Sequence, residues 1–294
     1  MYVITGATGN IGSKITVELL SKRKKVRVIG RSEDRLKNIS DNQADIEAGD
    51  MANTEFLTEA FKGADAVFSM IPPNMGASDS RAYQNRMAES IVSAVKNSGV
   101  KRVVALSSIG AHRGDGVGIV GGLHDFEEKL KALDEVDVVM IRAGYFMENT
   151  YMSMDTIKSM NMIATPLDPE MKIPMVATQD IAEAATEYLL DNSWSGKKVR
   201  YLLGPRDVSY NEIIDVFRKE LDKQDLNYAQ IGYDDLVNAV TGLGATESIA
   251  KDYAGLMEAI NEGRLTEDVK RTPESTTKTA FEDFAKVFAA GYSE

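Results

Sequence analysis

An α/β fold organised on a doubly wound parallel sheet, followed by a smaller and mostly helical C-terminal part, is what this sequence predicts. Three observations carry the prediction. The first half alternates short apolar runs with amphipathic stretches at the spacing βαβ units need. Several runs, such as Ala66–Ile71 and Val103–Leu106, are apolar almost throughout, as strands are when helices cover both faces of their sheet. The first run passes directly into a turn carrying Gly6, Gly9 and Gly12, and then into an amphipathic helix marked by Ile11, Ile15 and Leu19.

The opening strand is expected at residues 2–5 and the first helix at 11–22. Between them, Gly6 and Gly9 keep the backbone open where a Cβ would obstruct a pyrophosphate, and Gly12 lets the helix pack close to the strand. Unpaired N–H groups and the positive end of the helix dipole favour an anion at the same place. The turn therefore reads as a dinucleotide-binding site of the Rossmann type, with Gly6, Thr8, Gly9, Asn10, Ile11 and Gly12 as its candidate residues; a ligand-free strand-to-helix turn is the alternative. The second strand, 25–30, ends at Arg31, 19 residues after Gly12, where NAD enzymes place an acid on the ribose 2′-hydroxyl. A guanidinium there suits a 2′-phosphate, and Ser32 and Arg35 can add contacts, so NADP(H) is expected over NAD(H). A solvated turn arginine is the competing explanation. A third strand, 44–48, leads to Asp50 and Met51; Asp50 either accepts from an adenine amino group or caps the helix expected at 53–62. A short helix at 33–37 precedes it.

Further strands are expected at 65–71, 101–107 and 137–142, with helices at 80–98 and 124–133. Ligands of such sheets bind beyond the carboxyl strand ends. That rule puts Pro72, Tyr145 and Phe146 over the nicotinamide; Ile71, Ser107 and Ser108 are further cofactor candidates. Met75, Tyr145, Phe146, Met147 and Asn149 become the candidate substrate pocket, apolar and adaptable enough for an aromatic acceptor, or else simply core. The loop from Ile109 to Gly122, with six glycines, is expected to move over that pocket. After Asn149 come a Met-rich polar stretch (Tyr151 to Met162), a segment punctuated by Pro166, Pro169 and Pro174, a helix from Gln179 to Leu190 and a strand at 198–203; from Ser209 the pattern is mostly helical. The expected organisation is an NAD(P)-binding domain over 1–150 to which 176–204 returns, and a substrate-side subdomain made of 151–175 and 205–294.

Composition narrows the function classes. A net charge of −11, with no basic block, opposes general nucleic-acid binding. The chain has no cysteine, which removes disulfides, thiolate metal sites and thiol nucleophiles and makes a reducing cytoplasm the expected setting. No run of 18 apolar residues occurs, and the start lacks a signal-peptide pattern, so neither membrane spanning nor secretion is expected.

Several segments resemble the NmrA-like, or atypical, short-chain dehydrogenase/reductases, a family that includes NADPH quinone reductases and triphenylmethane-dye reductases. They are Gly6–Gly12, Gly30-Arg31-Ser32, Gly49-Asp50, Val100–Val103 leading to Ser107-Ser108, the His124-x-x-x-Glu128-x-x-Leu helix and Ile141–Asn149, with Tyr201–Pro205 and Ser209–Glu212 later. The resemblance implies an NADPH-dependent reductase that passes hydride to a quinone or other conjugated small-molecule acceptor. One departure from ordinary short-chain dehydrogenases matters: none of the 11 tyrosines has a lysine four residues on, so the proton-passing Tyr-x-x-x-Lys pair is missing. His124 and Glu128 stand on the corresponding helix, one turn apart. They are the candidate catalytic pair, His124 either passing a proton or only contacting the ribose or a backbone carbonyl. His112, the other histidine, has no second ligand nearby in the sequence, so no metal site is expected. The alternative function is a redox sensor that binds NADP(H) without turnover and acts through a protein partner; a homodimer is a further possibility.

Overall fold

The computed structural model describes residues 1–41 and 43–292. In chain order the elements are β1 (Tyr2–Thr5), α1 (Gly12–Ser21), β2 (Val26–Gly30), α2 (Glu33–Ser40), β3 (Asp45–Ala48), α3 (Thr54–Phe61), β4 (Ala66–Ser69), α4 (Ser80–Ser98), β5 (Arg102–Ser108), α5 (Gly121–Lys131) and β6 (Asp137–Ala143). There follow β7 (Tyr145–Phe146), α6 (Met154–Met160), β8 (Met162–Thr165), β9 (Ile173–Val176), α7 (Thr178–Leu190), β10 (Lys197–Leu202), β11 (Asp207–Val208), α8 (Tyr210–Glu220), β12 (Asn227–Gln230), α9 (Tyr233–Gly242), α10 (Glu247–Asn261) and α11 (Phe281–Tyr292).

The main sheet has the order β10-β6-β5-β4-β1-β2-β3, and every neighbouring pair is parallel. The expected Rossmann-type doubly wound sheet is therefore present. Period-two alternation divides its strands between two cores. Val3, Val67, Val103 and Val138 face α3, α4 and α5, where Leu57, Phe61, Ile91 and Phe126 meet them. Ile4, Phe68, Val104 and Val139 face α1 and α7 through Ile15, Leu19, Ile181 and Leu189. Each such side chain contributes about 1.5–3 kcal/mol by leaving water. Side-chain caps start the covering helices: Ser32, Asn53 and Asp79 accept from the backbone N–H three residues on.

Chain order reverses between β1 and β4, which places a crevice beyond their carboxyl ends. The second half closes over it. A separate core gathers Phe217, Phe281, Phe284 and Phe288, with small sheets β11-β9-β7 and β12-β8 beside it. α7 packs on α1, and β10 extends the main sheet through β6.

Three expectations change. Strands β8, β9 and β12 lie in stretches that lack strand periodicity; each has only four residues, and β9 contains Pro174. β4 stops at Ser69 rather than at 71, ahead of the consecutive Pro72 and Pro73, whose rings force their predecessors out of a ladder. The glycine-rich loop is packed, not a free flap. A Cβ on Gly118 would fall 2.8 Å from the Gly255 carbonyl carbon in α10, and Gly121 and Gly122 begin α5 against Arg81 and Gln84 of α4.

Candidate active site

The glycine turn is shaped by its own backbone. Gly6 has φ +61°, a conformation a side chain resists, and its added Cβ would lie 2.9 Å from Met70 Sδ. Gly9 N–H donates to Gly6 O at 2.9 Å. A Cβ on Gly12 would strike Gly6 O and come within 2.8 Å of Gly6 C, so Gly12 serves closure of the turn itself. No side chain caps α1, leaving its first N–H groups to face an anion beside Thr8, Asn10 and Ile11. A pyrophosphate fits this cradle.

At the end of β2, Arg31 is exposed, and no hydrogen bond or ion pair holds its guanidinium among the described residues. Ser32 Oγ is occupied as the α2 cap, and Arg35 Nη2 donates across to Thr8 O at 3.4 Å, tying α2 to the glycine turn. Asn53, not Asp50, caps α3. Asp50 closes a local turn through Ala52 N–H (2.9 Å), while Met51 is buried in the core.

Beyond the ends of β4 and β5 lies a cavity of about 300 Å³. Met70, Ile71 and Pro72 form one wall, Leu106, Ser107 and Ser108 another, and Tyr145, Phe146 and Asn149 a third. Ile249, Tyr253, Leu256 and Ile260 of α10 roof it, with Leu123, Met171 and Ile173 below. Because Met70 also packs on Gly6, the cavity borders the glycine turn. The wall is mainly apolar. Its one cation among the described residues, Lys172, is paired with Glu212 at 2.6 Å. Although burial raises the Glu212 carboxyl, hydrogen bonds from Lys172 and the Ser209 backbone, with the Arg206 charge, hold it down at about 2.

Tyr145 and Phe146 reach the wall because Gly144 lets β7 dock. A Cβ at Gly144 would strike Pro174 O, so only glycine allows Tyr145 and Phe146 to pair with Met175 and Val176. Along this short strand the two rings point to opposite sides, Tyr145 to the second-half core and Phe146 to the main-sheet core.

Behind the cavity lies a buried ionic network that sequence reasoning missed. Glu127 is fully buried; its Oε1 accepts from Ser107 Oγ (2.6 Å) and Arg142 Nε (2.9 Å), and its Oε2 from Arg142 Nη2 (2.7 Å). Arg142 Nη1 then donates to Tyr201 OH (2.7 Å) and Asp268 Oδ2 (3.3 Å), and Asp268 Oδ1 faces His112 Nδ1 at 3.0 Å. The Ser107 proton is thereby committed to Glu127, so this wall offers lone pairs to the cavity rather than a proton.

A model of the NmrA-like family matches residues 2–285. The chain belongs to the NmrA-like family. A relative from Xenophilus azovorans named NAD(P)H azoreductase is 25% identical over 296 residues, covering 99% of each chain. Among solved structures, Citrobacter sp. triphenylmethane reductase complexed with NADP(H) superposes with TM-score 0.79 at 18% identity, over 98% of this chain and 100% of that one. The NADPH-dependent quinone oxidoreductase from Escherichia coli in complex with NADPH gives 0.77 at 19%, over 98% and 99%.

In this NmrA-like chain the expected catalytic pair lies off the cavity. His124 Nδ1 sits 3.0 Å from Ala111 O, and its neighbour Leu123 takes the place on the wall. Glu128 is exposed and bound to Lys131 at 2.8 Å, with no hydrogen bond to the imidazole among the described residues. Two pocket candidates also lie elsewhere: Met147 is buried in the second-half core because a 3-10 turn follows β7, and Met75 is 41% exposed in a loop whose carbonyl accepts from Thr246 N–H. Among the described residues no group of three or more His, Asp or Glu side chains is placed to hold a metal ion, and no helix is long and apolar enough to cross a membrane.

Proposed function

We propose that this NmrA-like protein is an NADPH-dependent reductase that transfers hydride to an uncharged, conjugated acceptor such as a quinone or an azo compound. The observation that carries this reading is the apolar cavity running from the carboxyl ends of β4 and β5 to α10, bordering the glycine turn and, among the described residues, holding no unpaired charge on its wall. The names of the azoreductase relative and of the dye- and quinone-reductase structures support it.

Bound NADPH supplies the hydride. The residues proposed to hold it are Gly6, Thr8, Gly9, Asn10, Ile11 and Gly12 at the pyrophosphate, Arg31 and Ser32 at the 2′-phosphate, and Asp50 and Met51 at the adenine. Ile71, Pro72, Ser107, Ser108, Tyr145 and Phe146 surround the nicotinamide. Ser107 is suited to accept from its carboxamide, because its own proton is engaged by Glu127. Asn149 and the α10 residues are left to enclose the acceptor. A conjugated acceptor spreads the incoming charge, which lessens the need for the missing Tyr-x-x-x-Lys pair.

The test is steady-state NADPH oxidation against menadione, a sulfonated naphthoquinone and neutral and sulfonated azo compounds, with NADPH binding measured in parallel. Neutral acceptors are expected to exceed their sulfonated counterparts in kcat/KM by about 10-fold or more, since a sulfonate entering this wall is desolvated without a partner. Tight NADPH binding with turnover of none of them would favour the sensor. For the cofactor, Arg31→Asp is expected to weaken NADPH by about 1.5–3 kcal/mol relative to NADH, the worth of a charge-assisted contact. Equal losses for the two cofactors in a titration would remove Arg31 from the 2′-phosphate.

A further inference from the structure

An acceptor must enter the cavity and its product leave, and wall segments that move for this are drawn from the least tightly held parts of a fold. The glycine-rich loop is fixed by its packing on α4 and α10. The stretch that follows α10 is held differently. The backbone hydrogen bonds of residues 265–274 stay within its own turns, such as Thr266 N–H to Gly263 O (3.1 Å) and Val269 N–H to Thr266 O (3.0 Å), and among the described residues none reaches another element. Residues 266–268 and 270–274 are exposed. Yet Leu265 and Thr266 belong to the cavity wall. Leu265 is buried and seated on Gly110, where a Cβ would lie 2.5 Å from its Cδ2.

Side chains tie this stretch down. Arg113 Nη1 donates to Glu267 Oε2 (2.6 Å), and Arg271 Nη2 donates to Leu203 O (3.3 Å) and to Asp207; Arg200 lies 2.7 Å from Glu274. These partners are partly or well exposed, and such pairs hold weakly one by one. Asp268 differs. Its Oδ2 accepts from Tyr201 OH (2.6 Å) and from Arg142 Nη1 (3.3 Å), and Arg142 is the nearly buried guanidinium that also grips Glu127. We propose that residues 265–274 form a strap that opens and closes the acceptor cavity, with Leu265 as its plug and Asp268 as its latch on Tyr201 and Arg142. This rests on the reductase reading above. The strap swings at Gly263, which has φ +72° and no neighbouring atom within 4 Å of the place a Cβ would take. Opening lifts Leu265 off Gly110 and uncovers the cavity; closing returns Asp268 to the buried network behind it.

Asp268→Ala removes the latch from a partly exposed position. In the cofactor-free chain, trypsin cleavage after Lys270 or Arg271, which needs the strap off the body, is expected to run about 5- to 10-fold faster than in the wild type. Arg113→Ala frees Glu267 but leaves Asp268 in place, so it should give only about 2- to 3-fold. With NADPH saturating, the KM for menadione should rise about 5-fold or more in Asp268→Ala while kcat stays within about 2-fold, since a looser wall releases the acceptor sooner without moving the reacting atoms. N-phenyl-1-naphthylamine, an uncharged probe that fluoresces in apolar cavities, should slow wild-type cleavage about 3-fold or more at saturation, because a filled cavity favours the closed strap. Cleavage of Asp268→Ala no faster than wild type, a kcat loss at unchanged KM, or a bound probe that leaves cleavage unchanged overturns the strap. A wild-type chain that binds NADPH but reduces no acceptor defeats the reductase reading instead, and the two cleavage comparisons still decide the strap.

Discussion

Glu127→Ala is expected to lower folding stability by about 3–5 kcal/mol, the usual cost of breaking a buried ion pair by removing one partner. The carboxylate has no exposure and receives three hydrogen bonds, two of them from one guanidinium. Its loss strands a nearly buried Arg142, whose remaining partners are Tyr201 and the partly exposed Asp268. Asp268 sits at 3.3 Å and can take over part of the charge, which places the expectation toward the lower end of that range. At about 2–4 °C per kcal/mol for a chain approaching this size, the melting temperature should fall by about 6–12 °C. A paired Glu127→Met, Arg142→Met variant should regain much of the loss, since removing both charges leaves no desolvated ion behind. Thermal and urea unfolding of the three proteins check this. A single variant as stable as the wild type would mean that Arg142 is satisfied without Glu127.

The position of that network also explains which parts of the site were legible in the sequence. The shape of the glycine turn could be read because it depends on the absence of side chains, a property visible in the letters themselves. That Arg31 follows the end of β2 could be read because a fixed number of residues separates it from the turn. The choice between Glu127 and Glu128 is of another kind. Adjacent helix positions differ by about 100°, so phase decides which carboxylate enters the protein, and the helix starts at Gly121 rather than at 124. Phe126 and Leu130 fix that phase by packing on the sheet, which turns Glu127 inward and His124 and Glu128 away from the cavity. A signal for the buried acid was present on the partner strand: Arg142 follows Val138-Val139-Met140-Ile141, and a guanidinium in so apolar a run demands a buried anion. The roof of the cavity was less accessible to such reasoning. Strands of two to four residues such as β7, β9 and β11 exist through pairing with one another, over sequence separations that no local period records.

Gly9→Val should abolish useful cofactor binding, by about 100-fold or more for NADPH and NADH alike, while leaving the fold intact. The argument rests on a contrast within one turn. Gly9 is exposed and does not occupy the left-handed region, and a Cβ there lies 3.3 Å from Gly6 O, a contact the exposed turn can relax by a few tenths of an ångström. A valine is therefore tolerated by the protein and projects over the α1 N–H groups, where the pyrophosphate is proposed to lie. Gly12→Val meets a different obstacle, since its Cβ collides with Gly6 O and C and the turn cannot close around it. That variant should lose binding together with melting temperature, whereas Gly9→Val should lose binding alone. Cofactor titration alongside thermal unfolding separates the two effects. If a folded Gly9→Val protein titrates NADPH as the wild type does, the phosphates lie elsewhere and the turn is only a connection between β1 and α1.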